Sequence, residues 1–318
     1  MSILDVQGLK MYYSTLKGDV KAVDGVVLEV EKREAIGLVG ESGCGKTTFA
    51  LAIIRLLPWN GRIVGGNVLF DGVDIIGMDE KKFDEDYRWK RLSYVFQGAM
   101  NAMNPVFRVG DQIAEAITLH EDVEKEEAMD RARDLFKLVG IDPVRVSSYP
   151  HELSGGMKQR AMIAMALACN PDFIIADEPT TALDVIVQAQ TLQVIDRLRK
   201  ELGLTMMLIT HDLSVVAQTC LTCAIMYAGK IVEYTDIDTV FEEPLHPYTK
   251  ALTSAFPSIK EERRELESIR GAPPNLLNPP TGCRFNPRCP YSMKICTEEE
   301  PEYKNHGGRH YVACHLLG

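Results

Sequence analysis

The spacing of nine residues constrains this chain more than any other feature. Gly40-Glu-Ser-Gly-Cys-Gly-Lys-Thr-Thr48 fits G-x-x-x-x-G-K-[ST], a loop whose backbone N–H groups close around phosphate oxygens. Gly40, Gly43 and Gly45 allow the tight turn and keep its concave face clear, with Glu41, Ser42 and Cys44 at the variable positions. Lys46 is expected to reach the β- and γ-phosphates and Thr47 to ligate Mg²⁺, with Thr48 closing the stretch. The loop needs a strand before it and a helix after it. Glu34-Ala-Ile-Gly-Leu-Val39 reads as a short buried parallel strand. Phe49, Ala52, Ile53 and Leu56 then recur at helical spacing until Pro58. This order predicts a nucleoside triphosphate seated on a helix N-terminus.

A length of 318 residues allows one large domain or two modest ones. The net charge of −10 leaves no broad basic face, so nucleic acid is not an expected partner. No run of about 18 apolar residues is present, and Met1-Ser-Ile-Leu-Asp-Val lacks the pattern of a secretory leader. Without an export signal, the 8 cysteines read as thiols or metal ligands rather than disulfides. The expected setting is the cytosol.

Along the chain, residues 3–13 and 19–31 read as strands around a turn at Lys17-Gly18-Asp19, and 62–76 as a further hairpin. Tyr13 is placed either to stack on a nucleobase or simply to half-bury in its strand. A charged stretch, Asp79–Arg91, leads into the strand Leu92–Phe96, which ends at Gln97. Residues 98–154 read as a helical insert. In it, residues 111–119 suggest a short helix, and Asp122–Val139 carries an apolar stripe of Ala128, Ala132, Leu135, Phe136 and Val139 ending at Gly140. A helix from Leu153-Ser-Gly-Gly156 runs to Cys169, and the buried strand Phe173–Ala176 delivers Asp177 and Glu178. Met206–Ile209 delivers His211 in the same way. Strands alternating with helices predict an α/β fold with a mostly parallel sheet. Asp177 suits Mg²⁺ binding and Glu178 suits activation of an attacking water.

Taken together these elements resemble the ATP-binding cassette (ABC) ATPases. The resemblance rests on Gly40–Thr47, Gln97, Leu153–Gly156, Phe173–Asp177 with Glu178, Ala182-Leu-Asp184 and His211, in the family's order. It implies a nucleotide core with an antiparallel β subdomain and a helical subdomain. Two cassettes would pair head to tail, so that Ser154, Gly155 and Gly156 of one close over the γ-phosphate bound by the other. It further implies that His211 contacts the γ-phosphate, that Gln97 links Mg²⁺ and water to the helical insert, that Asp184 lies in the D-loop and that Tyr13 stacks on adenine. Catalytic roles then fall to Glu178, His211, Lys46 and Gln97. Met157 replaces the commonest Gln, a choice frequent in the peptide and nickel importer branch, as is Tyr149-Pro-His-Glu152. After Gln97 that branch usually has Asp-Pro and then Met-x-x-Leu-Asn-Pro; here Gly98-Ala99 and Met103 depart from it, while Met100, Asn104 and Pro105 keep it.

From about Thr235 the pattern loosens, which sets domains of 1–235 for the cassette and 236–318 for an extension. Cys283, Cys289, Cys296 and Cys314 suggest a thiolate site. Their spacing matches neither a zinc ribbon nor a ferredoxin run, so zinc, an iron–sulfur cluster and free thiols all stay open. Leu245-His-Pro-Tyr-Thr249 and Gly282-Cys-Arg-Phe-Asn-Pro-Arg-Cys-Pro290 resemble the C-terminal extension of dipeptide and oligopeptide importer ATPases. That resemblance implies a [4Fe–4S] cluster on the four cysteines, with zinc the alternative; His306, His310 and His315 are nearby alternative ligands that read rather as solvated or structural. Cys220 and Cys223 read as packing, and Cys44 carries no expected thiol chemistry.

The resemblance implies a peripheral protein on the cytoplasmic face of the membrane. It would work with ATP, Mg²⁺, two permease subunits, a second ATPase (a paralogue or another copy) and an extracytoplasmic solute-binding protein. The competing expectations are an oligosaccharide or metal-chelate importer and a soluble ABC ATPase acting on nucleic acid or ribosomes.

Overall fold

The structure, a computed structural model of the chain, describes residues 1–98, 102–181, 183–254 and 269–318. Ala99, Met100 and Ala182, which figure in the motifs above, lie outside the described residues. The chain begins β1 (Ser2–Thr15), β2 (Gly18–Glu31), β3 (Ala35–Val39), α1 (Lys46–Ile53), β4 (Gly61–Phe70), β5 (Val73–Asp74) and α2 (Glu80–Asp86). It continues β6 (Leu92–Val95), α3 (Val109–His120), α4 (Lys125–Leu138), α5 (Gly155–Ala166), β7 (Phe173–Asp177), α6 (Val185–Leu202) and β8 (Thr205–Thr210). Then follow α7 (Leu213–Thr219), β9 (Thr222–Tyr227), β10 (Lys230–Asp236), α8 (Ile237–Glu242), α9 (Pro247–Ser254), α10 (Lys294–Glu298), β11 (Tyr303–Asn305) and β12 (Tyr311–Ala313).

These elements form two compact units. The first comprises Met1–Val30, Ala35–Ile76 and Ile209–Gly318; the second comprises Glu31–Glu34 and Gly77–Leu208. The extension from residue 236 therefore belongs to the same unit as the phosphate loop.

In the first unit, β2-β1-β4-β5 make the expected antiparallel sheet, β4 pairing antiparallel with both β1 and β5. Beside it, β3 runs parallel to β9, with Val39 opposite Ile225. All five residues of β3 and all six of β9 are buried, as the near-continuous apolar runs predict. Beyond β9 the pairing turns antiparallel: β10 on β9, β12 on β10 and β11 on β12. Thus the last strands of the extension add directly to the sheet that starts at the phosphate loop.

Helix α1 stops at Ile53 rather than running to Pro58. Leu56 N–H donates to Leu51 O at 2.9 Å and Arg55 N–H to Ala52 O at 3.2 Å, a Schellman closure with Arg55 at φ 54°. A glycine normally marks that left-handed position, and its absence hid the helix end from the sequence.

In the second unit, β6 and β7 run parallel, with Leu92 opposite Phe173 and Val95 opposite Ala176. Helix α4 buries Ala128, Ala132 and Phe136 as the stripe predicts, while Leu135 is only half-buried. Gly140 follows it at φ 76°, the predicted cap. Helix α3 covers the expected short helix, and α2 emerges from the charged stretch, started by Asp79, whose carboxylate accepts from the N–H groups of Lys81 and Lys82.

Candidate phosphate loop and acidic pair

Strand β3 ends where the loop begins, so Gly40–Thr48 leaves the carboxyl end of a buried parallel strand. Three glycines are required there for different reasons. A Cβ on Gly40 would overlap the Met226 carbonyl oxygen and the Cys44 sulfur. Gly45 caps α1 at φ 109°, and a Cβ there would strike the Ala22 carbonyl. Gly43 sits in open space but at φ 78°, a conformation side chains rarely adopt.

Lys46 is buried, and its ammonium turns back on the loop, donating to Gly40 O at 2.7 Å and Glu41 O at 3.1 Å. Cys44 Sγ lies 3.8 Å from the same nitrogen, and burial pushes the Cys44 thiol up. Ser42 and Thr47 are exposed, while Thr48 is buried and lies 3.0 Å from the Tyr13 hydroxyl. Tyr13 is thereby tied to the helix that carries the loop, its ring half-buried. His211 follows β8 in the same unit and is exposed, and Asp212 after it caps α7 through Ser214 N–H at 2.8 Å.

The second unit assembles the other half of the predicted set. Because β6 and β7 are parallel neighbours, their carboxyl ends deliver Gln97 and Glu178 to the same edge. Gln97 Nε2 donates to Glu178 Oε2 at 2.7 Å, and the Thr181 hydroxyl donates to the same oxygen at 2.9 Å. Glu178 holds φ 44°, a left-handed backbone that costs a non-glycine residue about 1 kcal/mol or more and clusters at functional sites. Asp177 is buried and accepts a 2.8 Å bond from the Tyr94 hydroxyl. Burial, with Asp177 beside it, pushes the Tyr94 phenol far up, so Tyr94 stays a donor. Tyr94 is a functional candidate missed in the sequence, because its role depends on β6 pairing with β7, where Tyr94 lies opposite Ile175.

Ser154 is exposed and caps α5, its Oγ accepting from Met157 N–H at 3.3 Å. Gly155 opens that helix, and Gly156 packs so closely on Val187 that a Cβ would meet its Cγ1. Asp184 caps α6 by accepting from Val187 N–H at 3.0 Å. Both helix starts are thus fixed by side-chain caps.

The cysteine tail folds onto the first unit. Phe285 packs against Tyr227, Tyr248 and His246 at ring-centroid distances of 5.1, 5.4 and 5.7 Å. Arg284 is buried and pairs with Asp24 and the Ala228 carbonyl. The buried Glu233 accepts from the N–H groups of Leu245 and His246 at 2.8 and 2.9 Å and lies 2.7 Å from His310 Nε2. His310 and His315, the latter 2.9 Å from Glu299 O, are thus occupied with structural partners.

All four tail cysteines are free thiols. Burial raises Cys283 to about 11, against a backbone bond from Phe285, and the other three thiols push it the same way. Burial likewise raises the Cys289 and Cys314 thiols, partly offset by the backbone at Tyr291 and Leu316, and Met293 N–H donates to Cys296 Sγ at 3.4 Å. Among the described residues, no group of three or more His, Cys, Asp or Glu is placed to hold a metal ion. Cys223 is fully buried with its thiol pushed well up, as expected of a packing residue.

Comparison with known proteins agrees with this anatomy. The ABC transporter family matches residues 23–181, and the oligopeptide/dipeptide transporter C-terminal region matches residues 232–296. A probable peptide ABC transporter ATP-binding protein of Sinorhizobium fredii is 45% identical over 98% of this chain and 94% of its own. A dipeptide transport ATP-binding protein of Haemophilus influenzae is 44% identical over 99% of this chain and 96% of its own. Among solved structures, the dimeric post-hydrolysis state of the ATP-binding cassette MJ0796, bound to ADP and Pi, superposes with TM-score 0.66 at 25% identity. It covers 74% of this chain and 98% of its own. The chain belongs to the ABC transporter ATPase family and carries the C-terminal region of its oligopeptide/dipeptide branch.

Proposed function

We propose that this chain is the ATP-hydrolysing subunit of a membrane importer for dipeptides and oligopeptides. The observation that carries the reading is the tandem of an ABC cassette and an oligopeptide/dipeptide C-terminal region in one chain, with relatives named for peptide transport along nearly its whole length.

ATP would occupy the Gly40–Thr48 loop, its phosphates taking the backbone N–H groups and drawing Lys46 off the Gly40 and Glu41 carbonyls. Thr47, Gln97 and Asp177 are the residues proposed to hold Mg²⁺, whose role would be to neutralise charge on the β- and γ-phosphates. Tyr13 would stack on adenine. Glu178 would be the base that orients water, its carboxylate held by Gln97 and Thr181. The chain's own Ser154–Gly156 turn would be offered to the triphosphate of a partner cassette, with Asp184 and His211 at the closed interface. Since ATP contacts both surfaces only when they are together, binding favours the closed pair, and hydrolysis releases it. Two permease subunits on the cytoplasmic face of the membrane would take up that motion, with a solute-binding protein delivering peptide from outside. No helix among the described residues is long and apolar enough to cross a membrane.

Cys283, Cys289, Cys296 and Cys314 are proposed to hold a [4Fe–4S] cluster, with zinc as the alternative. Three of the four, Cys283, Cys289 and Cys296, fall within the matched C-terminal region, residues 232–296, and Cys283 feels the charge of the other three thiols, which supports this reading. A bound cluster would cross-link the tail and offer a one-electron couple. Iron and sulfide in stoichiometric amounts, with broad visible absorbance lost on reduction, would support it; a colourless protein holding zinc would reverse the choice.

Reconstitution with the permeases tests the function as a whole. Peptide-stimulated ATP hydrolysis is expected, and stimulation by oligosaccharide or metal chelate but not by peptide would overturn the cargo.

A further inference from the structure

Glu41 is the only acidic residue in the phosphate loop. A carboxylate one residue into a loop built for a polyanion works against its ligand, so what holds it matters. The tail holds it. Arg288, immediately before Cys289, donates from Nη1 to Glu41 Oε2 at 2.6 Å and from Nη2 to Glu41 Oε1 at 2.9 Å, a bidentate fork. Its side chain is only 5% exposed. Nε donates to Arg270 O at 2.9 Å, Nη1 also reaches the Tyr227 hydroxyl at 3.3 Å, and the guanidinium lies 5.7 Å from the Tyr227 ring centre. Glu41 is gripped at two further points: its N–H donates to the Tyr248 hydroxyl at 3.0 Å, and its carbonyl accepts from Lys46. Two of the three grips thus come from the extension, roughly two hundred residues away in sequence.

We propose that Arg288 is a positioning residue for the phosphate loop. By pairing Glu41 it cancels the loop's one negative charge and fixes the loop's first turn, so ATP affinity depends on the Cys283–Cys289 segment. This rests on the reading that Gly40–Thr48 binds the triphosphate. The fork is more than a packing contact because it predicts a rescue. Removing Arg288 leaves an uncompensated carboxylate in the loop, and removing that carboxylate as well restores part of what was lost.

The test measures radiolabelled ATP binding to the full chain by equilibrium dialysis in EDTA, so that no turnover occurs, alongside thermal melting. Arg288→Ala is expected to weaken ATP binding about tenfold, and Arg288→Ala with Glu41→Gln to recover about half of that loss on a logarithmic scale. Arg288→Lys, which keeps charge without the fork, is expected to weaken binding about threefold and carries the test if the alanine variant fails to fold. Wild-type affinity in Arg288→Lys, or in a folded Arg288→Ala, would overturn the proposal, as would a double variant no better than Arg288→Ala. Lys46→Ala separates the underlying reading: if it binds ATP as tightly as wild type, the loop is not the site at all.

Discussion

The phosphate loop and the acidic pair both leave the carboxyl ends of parallel strands, yet they are built in opposite ways. In the loop, Lys46 is buried and turned in on the loop's own carbonyls, and two of the three glycines are packed so tightly that no Cβ fits. At the acidic pair, Glu178 is half-buried, sits on a strained backbone, and is held by Gln97 and Thr181, both exposed. One site is set by backbone geometry and burial, the other by side-chain bonds that water can replace. The contrast fits a division of labour in which the loop is pre-shaped for binding and the proposed catalytic carboxylate keeps some freedom.

The largest expected effect separates the two sites. Glu178→Gln removes the proposed base and keeps the shape, so phosphate release should fall by about 10²–10⁴-fold while ATP retention on dialysis stays at the wild-type level. Comparable loss of both would mean that the sites do not divide the work. On the loop side, Gly40→Ala drives a methyl into the Met226 carbonyl, and overpacking of this kind costs about 1–3 kcal/mol. The melting temperature and ATP binding should fall together, and a variant that melts and binds normally would show the loop to be softer than its packing suggests.

A pH experiment reaches the support beneath the loop. Burial lowers His246 to about 3, and its Nδ1 accepts from Tyr248 N–H at 3.0 Å, so the folded chain keeps the ring neutral. The unfolded chain protonates near the ordinary value of about 6.5. Between those two values the unfolded state binds the extra proton, so this contribution is complete above the upper one and lost as pH falls toward the lower. The slope is at most about 1.4 kcal/mol per pH unit. His246→Asn should flatten the stability profile across that window in denaturant titrations, and an unchanged slope would remove His246 from the account. The smallest effect is at Tyr13: Tyr13→Ala should weaken ATP binding about two- to tenfold by loss of a stacking face. Tyr13→Phe, lacking only the Thr48 bond, should weaken it less. Equal losses would favour the hydroxyl over the ring.

What could be read from sequence follows from how local each feature is. The glycines, Lys46 and Thr47 lie in one nine-residue run whose chemistry dictates its backbone, and they were legible. So was the delivery of Gln97 and Glu178 by apolar strands, although their 2.7 Å contact required knowing that β6 and β7 are neighbours. The end of α1 was misread because Arg55, not glycine, takes the left-handed position. Arg288 and Tyr248 were invisible as supports of the loop because nothing in a linear pattern joins residue 41 to residues 248 and 288. The tail likewise reads as loop in sequence, yet β11 and β12 complete a sheet through Glu233, a charged residue that becomes fully buried by accepting three bonds.

Each chain is proposed to supply half of a shared ATP pocket. Sedimentation velocity of the Glu178→Gln protein, alone and co-expressed with a candidate partner ATPase, tests it directly. With saturating Mg-ATP the cassettes should sediment as a pair and revert to single chains when nucleotide is removed. A single-cassette mass with ATP demonstrably bound would contradict the account.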